Sequence, residues 1–164
     1  MNVDITKIAN VILYMLHKKV DHLNDKKVSI MLFLMEYNHL KFCEKKIFNE
    51  EYIKNSRNPE PVLLSELFDV IANNEDLEED DERLYFIQEL LDYLDIEVVE
   101  RKKFAELKFI KMEEEFDESI FNEDELKTIY KIVSEHKSTS PRNIANACFQ
   151  IDDLRKIQNG EIII

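Results

Sequence analysis

Histidines and cysteines, the residues best suited to bind metals or act as nucleophiles, are dispersed along this sequence. No H-x-x-x-H spacing, which would place two imidazoles on one helix face, relates the four histidines, His17, His22, His39 and His136. The two cysteines, Cys43 and Cys148, lie far apart inside helical patterns, and the sequence assigns no general base to either. We therefore expect no zinc site and no cysteine nucleophile, and we interpret both cysteines as small apolar residues of the core.

The remaining polar motifs also lack the spacing that ligand chemistry requires. Residues 75–82 contain seven acidic side chains, but calcium loops of the EF-hand type alternate their ligands and need a glycine, and this run has neither. We interpret the run as a solvated connection whose last acidic residues precede a helix, where the helix dipole favours them. The single glycine, Gly160, excludes P-loop and dinucleotide-binding fingerprints, which need several glycines. The sequence thus predicts no catalytic residue, no metal and no cofactor, and a protein that is not an enzyme.

The charge balance disfavours nucleic acid as a partner. The chain carries 22 basic and 35 acidic residues, for a formal net charge of −13. Binding to nucleic acid draws much of its strength from Lys and Arg neutralising phosphates, and a uniformly acidic chain repels that ligand. The basic residues cluster only briefly, at positions 18–19, 26–27, 45–46 and 101–103, which leaves a local DNA-contacting patch as an open alternative. A basic protein partner fits the charge better.

Length and composition indicate one soluble domain over residues 1–164. The 164 residues are 45% hydrophobic and 35% charged, which is an ordinary globular composition. No apolar run approaches the roughly 18 residues of a membrane span, and no secretory signal opens the chain. Two separated cysteines do not form a disulfide framework, so we expect a reducing, cytoplasmic location.

Helical periodicity dominates the first part of the chain. Apolar residues recur at helical spacing over residues 4–18 and again over 30–40, where the second helix is apolar on more than one face. Residues 46–54 alternate poorly and are predicted to be irregular and extended. A third helix is predicted after Pro61, and a fourth over residues 80–95 with an apolar stripe made of Leu84, Ile87, Leu91 and Leu94.

The later part of the chain changes period and then returns to helix. Alternation of apolar and charged residues near 96–112 predicts an antiparallel hairpin with its turn at 100–103. A capping box of Asn122 and Glu125 predicts the start of one helix, and Ser140 before Pro141 predicts the start of the next. We therefore predict an α+β fold, predominantly helical, with about six to seven helices and a small antiparallel sheet built around the hairpin.

The last residues raise a separate question. Asn159 and Gly160 are predicted to end the final helix, because glycine tolerates the left-handed conformation at that position. Three isoleucines follow, at residues 162–164. We expect them to add a strand to the edge of the 96–112 hairpin, since three exposed isoleucines would be a liability. The alternative is an exposed segment that a protease or a partner recognises.

Two of the three prolines in the chain stand together before the third helix. Pro59 disfavours helix at Asn58, and Pro61 disfavours it at Glu60. Pro61 itself suits the first turn of a helix, where its missing N–H costs nothing. The pair predicts a rigid corner, and we take Pro59, Glu60, Pro61 and Val62 as that corner and as a candidate partner-binding site.

At this corner the sequence resembles a known family. The elements that carry the resemblance are Ile12-Leu13-Tyr14, the helix K-V-S-I-M-L-F-L-M-E-Y over 27–37, the X-Pro-Val corner at 60–62, the pattern F-x-x-x-E-L-x-x-I-x-x-I-V over 121–133, and S-P-R-N-I-A at 140–145. Together they resemble the Panacea domain, also called the SocA-like antitoxin domain, which is related to phage-associated GepA-type proteins. The resemblance extends over residues 4–157.

Two departures from the family pattern concern the same regions. The family usually has Gly-Pro at the corner, whereas this chain has Glu60-Pro61, and glutamate disfavours the positive φ that glycine permits. The family also commonly has a histidine and an aromatic in the late helix, where residues 147–150 here read A-C-F-Q.

The resemblance implies a protein-binding module without catalysis. It predicts an antitoxin that neutralises a partner toxin by direct contact. The alternatives are a regulatory or protease-adaptor protein of the same fold and, less favoured, a DNA-binding regulator. Self-association is left open.

Overall fold

Helices α1 and α2 form the centre of the molecule, and the other elements pack around them. The computed structural model describes residues 2–164. In chain order its elements are α1 Ile5–His17, α2 Asp25–Cys43, β1 Tyr52–Asn55, β2 Asn58–Pro61, α3 Val62–Ala72, α4 Glu82–Tyr93, β3 Leu94–Glu100, β4 Ala105–Lys111, a short 3-10 turn at Glu118–Ile120, α5 Glu123–His136, α6 Pro141–Phe149 and α7 Asp152–Arg155. This arrangement of seven helices and two small antiparallel sheets within the described residues confirms the predicted, mostly helical α+β class.

Helix α2 is buried on nearly all sides, as its apolar residues on more than one face predicted. Met31, Leu32, Phe33 and Met35 are fully buried, and the helix packs against α5, α6 and β2. Asn24 caps its first turn by accepting a hydrogen bond from the backbone N–H of Lys27. A helix buried in this way fixes the positions of the elements around it.

The predicted hairpin is present, with β3 and β4 paired from Leu94–Lys111 to Glu100–Ala105. Leu107 and Phe109 are buried on one face of β4, and the Phe109 ring lies 5.6 Å from that of Phe68 in α3. The alternation of apolar and charged residues therefore identified both the strands and the face that is buried.

Two predicted helix starts are also confirmed. Asn122 and Glu125 exchange both hydrogen bonds of a capping box at the start of α5. Ser140 accepts from the N–H of Asn143, and Pro141 is the first residue of α6.

The predicted stripe of the fourth helix was wrong at its C-terminal end. Helix α4 stops at Tyr93, and Leu94 is the first residue of β3, where it is fully buried. Leu90 is fully buried, whereas Leu91 is 38% exposed. With Leu94 outside the helix, Ile87 and Leu90 set the buried face, and Leu91 falls on the solvent side.

The prediction for the last residues was wrong about the sheet involved. Helix α7 ends at Arg155, before Asn159 and Gly160, and Gly160 lies instead in a turn at φ +89°. Residues 160–164 then run beside β1, not beside the 96–112 hairpin, through four backbone hydrogen bonds of 2.7 to 3.0 Å. The expectation of strand addition was right in kind, because the edge of β1 offered unpaired backbone groups.

Candidate partner-binding surface

The corner predicted from the two prolines is formed by the second strand of a β-hairpin, which is followed directly by helix α3. Strands β1 and β2 pair from Tyr52–Pro61 to Asn55–Asn58, which leaves a two-residue turn at Ser56 and Arg57. Residues 52–55 are thus a strand, where an irregular segment was expected. Both turn residues have positive φ, 48° for Ser56 and 78° for Arg57, as a type I′ hairpin requires. That turn favours Asn-Gly, so each of these residues stores strain on the order of 1 kcal/mol.

The prolines are the two buried residues of β2, and their backbone nitrogens point away from β1. The backbone N–H of Val62 donates to the carbonyl of Glu51, and Glu60 is paired with Ile53, so the N–H groups of alternate residues point toward β1. Pro59 and Pro61 fall in the other phase, where the N–H groups would face away from β1. Because proline has no N–H, that edge carries no unsatisfied donor.

One expectation about the corner needs correction. Pro61 is not in the first turn of the helix, since α3 begins at Val62 and Pro61 occupies the capping position without a side-chain hydrogen bond. Glu60 is not among the residues with positive φ, so the conformation that glutamate disfavours is not required of it. The left-handed residues of the hairpin are Ser56 and Arg57.

A buried carboxylate supplies the cap that Pro61 lacks. Glu50, which is fully buried, accepts hydrogen bonds from the N–H groups of Leu63 and Leu64 at the start of α3 and from that of Glu51. These are the orphan donors of a helix N-terminus, where the dipole also favours a negative charge. Glu50 thus joins the end of the preceding loop to the helix of the corner.

A second buried carboxylate, Glu36 of α2, holds that loop. It accepts hydrogen bonds from the N–H groups of Ile47, Phe48 and Glu50. Burial raises the pKa of both Glu36 and Glu50, and the backbone donors around each oppose that rise. In the sequence Glu36 is marked only as the single charged residue of the apolar run M-L-F-L-M-E-Y, and nothing distinguishes Glu50.

Between these carboxylates lies Tyr52, which is fully buried. Its hydroxyl has no hydrogen-bond partner among the described residues. Burial, followed by the charges of Glu36 and Glu50, raises the pKa of Tyr52 well above its ordinary value. Its ring meets that of Phe33 edge-on at 5.3 Å, so the side chain is held as a core aromatic.

Lys54 connects strand β1 to the end of helix α7. Its side chain is largely buried in β1, and its Nζ donates to the carbonyls of Ile157, at 2.7 Å, and Arg155. A cation at the C-terminal end of α7 is favoured by the helix dipole. The same Nζ lies 5.4 Å from the ring centroid of Phe149 in α6.

Two adjoining grooves open beside the corner. The first, of about 200 Å³, is lined by three of the four predicted residues, Pro59, Glu60 and Pro61, together with the start of α2 and with Phe68. The second, of about 180 Å³, is lined by Lys26, Ser56, Arg57, Asn58, Arg142, Ala145, Asn146 and Phe149. Val62, the fourth predicted residue, is half-buried and lines neither groove. Lys26 and Asn58 border both grooves, so the two form one continuous surface.

A larger cleft of about 700 Å³ lies between α1, α5 and residues 115–118. Tyr14 is at its centre, with ring centroids 5.0 Å from both Phe116 and Tyr130. The cleft and the corner share no lining residue, so they are separate concave surfaces.

The side chains that could do chemistry do not assemble. Within residues 2–164 no group of three or more His, Cys, Asp or Glu side chains is placed to hold a metal ion. Burial raises the pKa of Cys148 to about 12, which keeps it a thiol, and Cys43 is a free, half-buried cysteine. No helix of the described chain is long and apolar enough to cross a membrane.

The comparison with known proteins bears on the family alone. A family model described as "Antitoxin SocA-like, Panacea domain" matches residues 31–150, which include most of α2, the whole corner and the hairpin β3–β4. No curated protein matches the chain. No solved structure matches it either. With most of its length matched by that one model, the chain belongs to the SocA-like antitoxin family and carries its Panacea domain.

Proposed function

We propose that this protein is an antitoxin, that it neutralises a partner toxin by direct contact without catalysis, and that residues 1–164 act as one domain in doing so. Membership of the SocA-like antitoxin family carries the proposal. The corner of Pro59, Glu60, Pro61 and Val62, with its adjoining grooves, is the proposed contact surface.

The construction of the corner supports this choice of surface. Buried carboxylates and backbone hydrogen bonds hold both strands of the hairpin and the start of α3, so the exposed groups beside them are preorganised. A preorganised surface loses less conformational entropy when it binds. The corner also lies wholly within the matched residues, whereas Tyr14, His17 and Lys18 of the larger cleft lie outside them.

The functional test is co-expression with the products of the neighbouring genes. One of these products is expected to arrest growth alone and to be tolerated when this protein is present. The toxin should co-purify with the antitoxin at a constant ratio, and its steady level should be unchanged. A fall in toxin level that requires a cellular protease would indicate an adaptor. If this protein restores growth against none of the neighbouring gene products, the antitoxin proposal is wrong.

The proposed surface is tested by charge reversal at the corner. Glu60→Lys alters a half-buried residue that lines the first groove, and Glu66→Lys makes the same charge change at an exposed position of α3 outside it. We expect the first variant to weaken rescue and co-purification while the second retains both. Equal behaviour of the two variants would place the contact elsewhere on the protein.

A further inference from the structure

We propose that the groove beside the hairpin turn, lined by Lys26, Arg57, Arg142 and Phe149, binds an acidic side chain carried by an extended segment of the protein partner. The inference rests on the proposed function, because it names the chemistry of what that partner places at the corner. The groove is called the basic groove below.

The basic groove concentrates positive charge in a protein whose net charge is −13. Lys26, Arg57 and Arg142 are all exposed, and no acidic residue lines the groove. None of the three cations takes part in an ion pair within the described residues, whereas Arg83, Arg101 and Arg155 do. Three unneutralised cations at one place attract a negative group that the rest of the surface repels.

Each of these cations also stands where the fold disfavours it. Lys26 is the second residue of α2 and Arg142 the second residue of α6, and the positive end of a helix dipole destabilises a cation there. Arg57 is held at φ +78°, a conformation that glycine would adopt without strain. An anion in the groove would relieve both charge conflicts, because helix N-termini and cations act on it together.

The geometry of Arg57 suits a carboxylate. Its guanidinium lies 4.1 Å from the ring centroid of Phe149, and this stacking restricts the orientation of its fork of donors. Planar forks of this kind bind carboxylates through paired hydrogen bonds. Phe149 belongs to α6, so this helix orients an arginine of the hairpin turn.

The adjoining first groove adds an apolar requirement. Ile30, Pro59 and Phe68 form its apolar floor, Asp25, Glu60 and Asp69 also line it, and it shares Lys26 and Asn58 with the basic groove. Its carboxylates disfavour a second acidic side chain there, so an apolar one is expected. A segment with an acidic side chain next to an apolar one would fill both. A nucleic acid would bring many phosphates toward a chain of net charge −13, so a single carboxylate on a protein is favoured over it.

The positive charge of the basic groove within an acidic surface also explains how one orientation of the bound partner could be selected. A basic partner is attracted by the acidic surface over a wide area, which speeds association but leaves many orientations open. One acidic residue seated in the basic groove favours a single orientation, since elsewhere that residue would face like charge.

The probe is a short blocked peptide of alternating glutamate and leucine, titrated into the full chain and followed by amide resonances. We expect shifts confined to residues near 26, 57–60, 142 and 149. The matched glutamine–leucine peptide should bind roughly tenfold more weakly, the loss expected for one charge-assisted hydrogen bond. The double variant Arg57→Glu/Arg142→Glu should abolish binding, and Lys102→Glu/Lys103→Glu, with the same change in net charge at the β3–β4 turn, should retain it.

Several outcomes would overturn the proposal. Equal binding of the two peptides would show that charge is not recognised. Tighter binding of inorganic phosphate or a short oligothymidylate than of the acidic peptide would assign the groove to phosphates. Concentration-dependent self-association that is lost in Arg57→Glu/Arg142→Glu would assign it to the acidic run 75–82 of a second copy.

The inference and the proposed function fail separately. If the acidic peptide binds as expected but co-expression restores growth against no toxin, the antitoxin function is wrong and the carboxylate site is retained. If Arg57→Glu/Arg142→Glu and the unmodified protein neutralise a toxin equally well, the antitoxin function is retained and this inference is wrong.

Discussion

The carboxylate of Glu50 accepts a 3.0 Å hydrogen bond from the backbone N–H of Leu64, so a residue from the preceding loop caps helix α3. The Glu50→Ala variant leaves the N–H groups of Leu63 and Leu64 without an acceptor in a buried place. We expect it to lower the free energy of unfolding by about 2–4 kcal/mol, measured by urea denaturation. Glu66→Ala, at an exposed position of the same helix, is the control and should change stability by less than about 0.5 kcal/mol. A similar small loss for Glu50→Ala would show that water caps the helix instead.

Relief of strain at the hairpin turn should stabilise the protein. Glycine adopts the left-handed conformation of Ser56, at φ 48°, without steric penalty. Ser56→Gly is therefore expected to raise the free energy of unfolding by about 1 kcal/mol, with the Arg57–Phe149 contact retained. Ser65→Gly, inside α3, should instead lower it by about 0.5 kcal/mol. Destabilisation by Ser56→Gly would mean that the turn is not strained.

Removal of the unpartnered hydroxyl of Tyr52 should also be favourable. A buried hydroxyl without a hydrogen bond costs free energy that phenylalanine does not incur. We expect Tyr52→Phe to raise the free energy of unfolding by about 1 kcal/mol. In the control, Tyr37→Phe, an exposed hydroxyl that donates to Asp153 at 2.7 Å is lost, and no gain should follow. A loss of stability in Tyr52→Phe would reveal a water bound between the hydroxyl and the buried carboxylates.

Deletion of residues 161–164 tests the backbone pairing with β1. It removes three backbone hydrogen bonds to Tyr52 and Lys54, each contributing about 1 kcal/mol, and the partly buried Ile163 and Ile164. A loss of about 3 kcal/mol should lower the melting temperature by about 6–12 °C in a calorimetric scan. Unchanged stability together with a longer cellular lifetime would identify the segment as a degradation signal and contradict the pairing.

Buried His39 should make stability depend on pH. Burial lowers the pKa of His39 below its ordinary value of 6.5, and its Nδ1 lies 3.2 Å from Thr128 Oγ1. Below that ordinary value the unfolded chain binds a proton that the folded state resists, so stability is lost as the pH falls through it. The stability difference between the unmodified protein and His39→Gln should shrink between pH 7 and 5, by at most about 1.4 kcal/mol per pH unit.

His17, which is exposed, provides the control substitution. His17→Gln should change the free energy of unfolding by less than about 0.5 kcal/mol, because a surface substitution removes no buried contact. If the stability–pH curve of His39→Gln runs parallel to that of the unmodified protein, folding does not hinder the protonation of His39.

Local signals predicted those parts of the fold that depend on neighbouring residues. The capping box at Asn122, the Ser140–Pro141 start and the alternation around Leu107 each encode one element within a few positions, and each is confirmed. The pairing of residues 160–164 depends on which sheet edge is free, and no local pattern records that. The wrong sheet was therefore assigned to the right kind of interaction.

At the corner, too, some features follow from neighbouring residues and others only from the folded chain. The prolines indicate where the corner lies. Its hairpin depends on two residues in the left-handed conformation, Ser56 and Arg57, and neither is the glycine that would predict such a turn. The carboxylates of Glu36 and Glu50 looked like ordinary charged residues, because only the folded chain brings backbone donors to them. The basic groove, likewise, is assembled from three separate segments and has no sequence signature.

The hydrogen bonds between β1 and residues 160–164 also determine when the second edge of β1 is paired. Contacts between residues so distant along the chain form late, because closing the intervening loop costs entropy that local helices and hairpins do not incur. During synthesis, α1, α2 and the β3–β4 hairpin can associate while the outer edge of β1 is still open. The β1–β2 hairpin and the cap of α3 are local and need none of these late contacts. The second edge of β1 is therefore the part of this region that is paired last.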